Sequence, residues 1–139
     1  MRSANVDTAP LVAFLDRAER NHRWVTERIE QLKAPLLVCE PVLAEAMLLL
    51  MRFPAAQDAL FGLFENGALQ IAFHVEDHVA ELRKLHRKYR DRPMSLADAC
   101  IVRMAEIHKQ HAVLPLDSDF LVYRKHGRMP LALICPQGL

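Results

Sequence analysis

Short apolar runs alternate along this chain with longer stretches in which apolar residues recur every three or four positions. Pro35–Cys39, Leu69–Phe73, Ala112–Leu116 and Leu131–Cys135 are too short for helices and predict buried strands. Ala4–Asp7 is a further candidate strand, although Ser3 and Asn5 have little strand propensity. Between the strands, Thr8 as cap and Pro10 in the first turn start a helix striped by Leu11, Val12, Phe14 and Leu15. Asn21–Leu32 repeats the pattern with Trp24, Val25, Ile29 and Leu32 on one face. Glu40-Pro41 opens a helix reaching about Arg52; Pro54 breaks it, and Ala55–Glu65 forms the next, ended by Asn66-Gly67. Val75–Tyr89 reads as one amphipathic helix with Val79, Leu82, Leu85 and Tyr89 turned inward. Ser95 with Asp98 makes a capping box ahead of a run so apolar that its helix must be largely buried. A short helix over Ser118–Lys125 precedes the last strand. Strand and helix in alternation predict an α/β fold, a single three-layer α/β/α domain over residues 1–139 with four to five short parallel strands.

Composition narrows what such a domain does. It is 52% hydrophobic and 25% charged, the balance of a compact folded chain. A net charge of +1 gives no global basic field, and aromatics at 6% supply no stacking platform for bases, so any nucleic-acid contact must be local. The best local supplier of positive charge is the stretch holding Arg83, Lys84, His86, Arg87, Lys88, Arg90 and Arg92. Cys39, Cys100 and Cys135 sit far apart in apolar runs and predict reduced core thiols, not a zinc site. The start of the chain lacks an apolar leader, and the greasiest run, Val42–Phe53, contains Glu45 and Arg52. That run is too short to span a bilayer, so a soluble cytoplasmic protein with no membrane contact is expected. Met47–Met51 is apolar enough either to pack in the core or to meet a second subunit.

The acids stand out by position. Asp7 ends the first strand, Glu45 lies one turn into the helix after the second, Asp98 lies in the first turn of the buried helix and Asp117 ends the fourth strand. In a parallel sheet all four fall toward the carboxyl edge, where ligands bind. Each has a plainer reading: Asp98 as the acid of a capping box, Asp117 as a cap, Asp7 as a turn residue. Glu45 resists one, because it interrupts an apolar helix where an unpartnered charge is costly. Carboxylates that converge repel one another, and a divalent cation is the usual way to keep them ionised together. Oxygen donors with no Cys or His among them suit Mg²⁺ or Mn²⁺ rather than zinc. His74 and His78, spaced i, i+4 beside Glu76 and Asp77, lack the further ligands of a zinc site and read as a solvated helix start. Glu40 reads as a cap or solvated group, and His22 as a structural histidine near the site.

Four segments now carry a resemblance: Asp7-Thr8-Ala9-Pro10, Cys39-Glu40-Pro41-Val42-Leu43-Ala44-Glu45, Ser95-Leu96-Ala97-Asp98-Ala99 and Leu116-Asp117-Ser118-Asp119-Phe120. In this order and over nearly the whole chain they resemble the signature segments of PIN-domain ribonucleases, and in style the VapC-like toxins of toxin–antitoxin pairs. The resemblance implies an endoribonuclease that cuts single-stranded RNA with one or two Mg²⁺ or Mn²⁺ ions activating a water for in-line attack. It implies Asp7, Glu45, Asp98 and Asp117 as the catalytic, metal-holding acids, with Asp119 as an accessory ligand. It also implies a homodimer and an antitoxin protein as partner. Arg83, Arg87 and Arg90 are the residues expected to hold RNA phosphates, which an acidic pocket alone would repel. Ala9 and Pro115 depart from the family, which often has Gly and a hydroxyl residue there. The loss of a hydroxyl at 115 keeps open an alternative, a catalytically inactive PIN-like module that binds RNA or protein. A phosphoacceptor signalling domain also gathers acids at a sheet edge, but no Lys stands at a matching strand end here.

Overall fold

A computed structural model describes residues 1–139. Strands β1 (Ala4–Val6), β2 (Leu36–Val38), β3 (Leu69–Ile71) and β4 (Ala112–Leu114) form one parallel sheet in the order β3-β2-β1-β4. Helices α1 (Thr8–Leu15), α2 (His22–Glu30), α3 (Glu40–Leu49), α4 (Pro54–Glu65), α5 (Val79–Lys88) and α6 (Leu96–Ile107) flank it, giving the expected three-layer α/β/α arrangement. The strand weakest by propensity, β1, lies between β2 and β4 with Ala4, Asn5 and Val6 all buried. Two neighbouring ladders impose a conformation that its residues alone would not choose. Within α6, seven residues including Cys100, Ile101, Val102 and Met104 are buried, as its all-round apolarity requires. Gly67, at φ +82 just beyond α4, takes the left-handed conformation that ends that helix. No helix is long and apolar enough to cross a membrane.

Several local expectations are corrected. Val75–Tyr89 is not one helix: a 3₁₀ turn over Val75–His78 precedes α5 and shifts the helical phase. Val79 consequently faces out, 54% exposed, while Leu82, Leu85 and Tyr89 are buried as expected. His78 stacks on Phe73 with ring centroids 4.6 Å apart and accepts a hydrogen bond from Arg103 Nε, so it belongs to a packing contact. The helix expected over Ser118–Lys125 is only a 3₁₀ turn, Ser118–Leu121. It is followed by an antiparallel pair, β5 (Arg124–Lys125) and β6 (Met129–Pro130), reversed through His126 and Gly127 at φ 52 and 78. Leu131–Cys135 forms no full strand and touches the sheet through one parallel bridge, Leu133 to Val113. Pro130 and Pro136 bound that run and remove ladder donors on either side. The helix expected to reach Arg52 stops at Leu49, and of the greasy run that ends it Leu48, Leu49 and Met51 are exposed while Leu50 is buried. Cys39 and Cys100 are buried core thiols, but Cys135 is only half-buried.

Candidate active site

The sheet order brings the site together. The chain steps outward from β1 through β2 to β3, then returns to the other side of β1 as β4. The carboxyl ends of β1 and β4 therefore flank the point where the winding reverses, and there a parallel sheet opens a crevice. Asp7 leaves β1 at this point, its N–H donating to Leu114 O at 3.2 Å. It is only 5% exposed, and its Oδ1 is buried with no hydrogen-bond partner. Burial first, then the charges of Asp98, Glu45 and Asp117, push its carboxyl up to about 7, against a backbone hydrogen bond at Thr8 that favours ionisation.

The other acids reach Asp7 from three elements. Glu45 lies in α3, and Thr8 Oγ1 donates to its Oε2 at 3.1 Å. Thr8 is thus not the helix cap expected of it: Asp7 occupies that position, and the Thr8 hydroxyl spans to α3 instead. At the start of α6 the capping box is complete. Asp98 N–H donates to Ser95 Oγ at 3.0 Å, and Asp98 Oδ2 accepts from Ser95 N–H at 3.4 Å. The same Oδ2 accepts from the Tyr123 hydroxyl at 3.1 Å, so Asp98 is cap and cluster member at once. Burial raises its carboxyl above the usual range, helped by the Asp117 charge and opposed by the Ser95 and Tyr123 hydrogen bonds. Tyr123 is raised in turn, by burial and by the charges around Asp98. Asp117 is exposed and caps the 3₁₀ turn after β4, its Oδ1 accepting from Asp119 N–H at 2.9 Å.

Asp7, Glu45, Asp98 and Asp117 are thus near enough for Asp7 to feel the charge of the other three. They do not form a closed cage, since no trio of Asp, Glu, His or Cys side chains is close enough to hold an ion as it stands. Thr8 holds Glu45, and Ser95 and Tyr123 hold Asp98, in separate positions. Asp119 sits at the rim, paired with Arg92 at 3.0 Å. Arg83 and Arg87 lie on exposed turns of α5 and Arg90 just beyond it, none of them in an ion pair. Glu40 is an exposed first residue of α3, and His22 donates from Nδ1 to Ala13 O at 2.7 Å, which ties α2 to α1. Glu40 and His22 are therefore solvated and structural, as expected.

The donor set fits a hard divalent cation. It offers only carboxylate oxygens, one of them buried and unpartnered, and its charge is otherwise uncompensated. Thr8 and Tyr123 were not legible as site residues. Thr8 adjoins Asp7, which is a weak signal; Tyr123 reaches Asp98 from 25 residues away with no local signal at all. Pro115 is buried and brings no hydroxyl, yet Thr8 and Tyr123 supply hydroxyls to Glu45 and Asp98.

Residues 5–125 match the PIN domain. Ribonuclease VapC26 of Mycobacterium tuberculosis (strain ATCC 25618 / H37Rv) is 30% identical over 114 residues, 81% of this chain and 84% of that protein. Among solved structures, a chain of a toxin–antitoxin complex from Klebsiella pneumoniae has the same fold, with a TM-score of 0.63 at 18% identity over 83% of this chain and 87% of that one.

Proposed function

This chain belongs to the PIN-domain family, in its VapC-like branch, and on that premise we propose that it is an endoribonuclease toxin that cuts single-stranded RNA with Mg²⁺ or Mn²⁺. The observation that carries the reading is Asp7, a buried carboxylate with an unpartnered oxygen facing three other acids across the sheet's reversal point. Asp7, Glu45, Asp98 and Asp117 hold the ion, with Asp119 at most an accessory because Arg92 already neutralises it. A divalent ion bound there supplies Lewis-acid neutralisation of the phosphodiester and an acidified water. Thr8 fixes Glu45, while Ser95 and Tyr123 fix Asp98, so the charges meet the substrate in set positions. The test is cleavage of labelled RNAs by wild type and Asp98→Asn in Mn²⁺, Mg²⁺ or EDTA. Binding without cutting under every metal would instead make this a non-catalytic RNA-binding module.

Arg83, Arg87 and Arg90 supply the positive charge that the acidic crevice lacks. Replacing all three with Gln should weaken RNA binding and reduce the log–log salt slope by roughly 2 for single strands. An unchanged slope would remove them from the interface. The same kinship supports a protein antitoxin as partner. Pairing with a second copy is supported by the exposed apolar residues Leu48, Leu49, Met51, Phe53 and Phe61 around the α3–α4 turn. Sedimentation should give a dimer for wild type and a monomer for Leu48→Glu/Met51→Glu. Equal masses for the two would rule this surface out as the dimer interface.

A further inference from the structure

A cleft of about 420 Å³ runs between α5 and the start of α6, within the range of pockets that bury small ligands. Val75, Val79, Leu82, Met94 and Leu96 form its walls, and two of these, Val79 and Leu96, are more than half exposed. Ser95 lines it as well, and its N–H donates to Asp98 Oδ2, so the lining is one hydrogen bond from a carboxylate of the candidate site. Arg83 and His86 also line it, and Arg83 is in no ion pair.

We propose that this cleft is a nucleobase subsite: it takes the unstacked base of one nucleotide flanking the cleaved bond, while Arg83 holds that nucleotide's phosphate. The inference rests on the nuclease reading and deepens it. Apolar walls suit the two faces of a base, and Ser95 and His86 add polar groups to the lining, of the kind that hydrogen bond a base edge. An unpaired guanidinium beside that apolar surface matches the combination of flat apolar ring and anionic phosphate that a nucleotide presents, and an apolar peptide does not. Only single strands and loops can splay a base into such a cleft, which would make the subsite a source of preference for unpaired RNA.

The test combines substrate and protein. Oligoribonucleotides carrying one abasic ribose at each position around the cleavage site are compared with the intact RNA, on wild type and on Val79→Trp, which fills the cleft from an exposed position. Removing a stacked base typically weakens its contact severalfold to a hundredfold. One abasic position should therefore lower kcat/KM for wild type by roughly tenfold or more, and Val79→Trp should lose a similar factor on intact RNA and become indifferent to that base. The abasic series on wild type stands by itself if the variant fails to fold. Cleavage indifferent to every flanking base would overturn the subsite and leave the nuclease intact. Base-dependent binding without cleavage would support the subsite and remove the nuclease. If Val79→Trp lost binding of a partner protein while cleaving intact RNA normally, the cleft would be a peptide site and the proposal wrong.

Discussion

Cleavage of single-stranded RNA in Mn²⁺ should fall by a hundredfold to a thousandfold or more when Asp98 becomes Asn, while the metal-free protein stays at least as stable. The two effects have separate causes. The Asn side-chain carbonyl occupies the same space as one carboxylate oxygen and can accept from Ser95 N–H and the Tyr123 hydroxyl, so the capping box survives. What disappears is a negative charge from a cluster in which burial and the neighbouring charges of Asp98, Glu45 and Asp117 raise Asp7, and burial and the Asp117 charge raise Asp98. Removing one preorganised charge from a catalytic site typically costs two to three orders of magnitude in rate. Asp119→Asn provides the contrast: Arg92 already pairs with Asp119, so its loss should cost less than about tenfold. Measured kcat values for the two variants decide the matter. Full activity in Asp98→Asn would reduce Asp98 to a helix cap.

The layers of this fold are legible in the sequence because they depend on local pattern. Pro35–Cys39 and Ala112–Leu116 are apolar without alternation and do become buried parallel strands, the first trimmed at both ends and the second at its carboxyl end. The Ser95–Asp98 capping box starts α6 at the expected residue. Local pattern fails where a distant contact decides. β1 is a strand because β2 and β4 pair with it, and the segment after Pro130 is not one because only Leu133 meets Val113. The 3₁₀ turn at Val75–His78, with His78 stacked on Phe73, rotates Val79 out of the core, a phase error that no amphipathic stripe reveals. The acids were legible as a set since parallel topology sends strand ends to one edge. Their partners were not, because the Thr8 and Tyr123 hydroxyls reach Glu45 and Asp98 across 37 and 25 residues of sequence.

The metal-free protein should lose stability as pH rises from about 4 to 7, and Mn²⁺ should restore much of it above pH 7. The sign follows from Asp7, whose carboxyl is lifted in the folded chain from 3.8 to about 7, chiefly by burial. Between those values the native state holds a proton that the unfolded state has released, so stability falls with increasing pH and levels off above the folded pKa. A shift of this size corresponds to on the order of 4 kcal/mol, or roughly 10 °C in Tm for a domain of this length. Asp98, also raised, acts in the same direction. His108 and His111 oppose it: burial lowers both, so they cost stability as pH drops below their ordinary range and blunt the gain at the acid end. The difference between wild type and Asp7→Asn removes that background. Asp7→Asn should be the more stable protein at pH 8 in EDTA and lose most of that advantage near pH 4, where the folded chain holds the Asp7 proton and the unfolded chain is beginning to bind it. An ion bound only by the folded state adds about 2.7 kcal/mol at a hundred times its Kd, and the variant should gain little of it. Melting curves across pH 4–8, with EDTA or Mn²⁺, read both effects. If the two proteins melted in parallel across that range, Asp7 would carry an ordinary pKa, and a buried carboxylate at the centre of the acids would no longer explain the site.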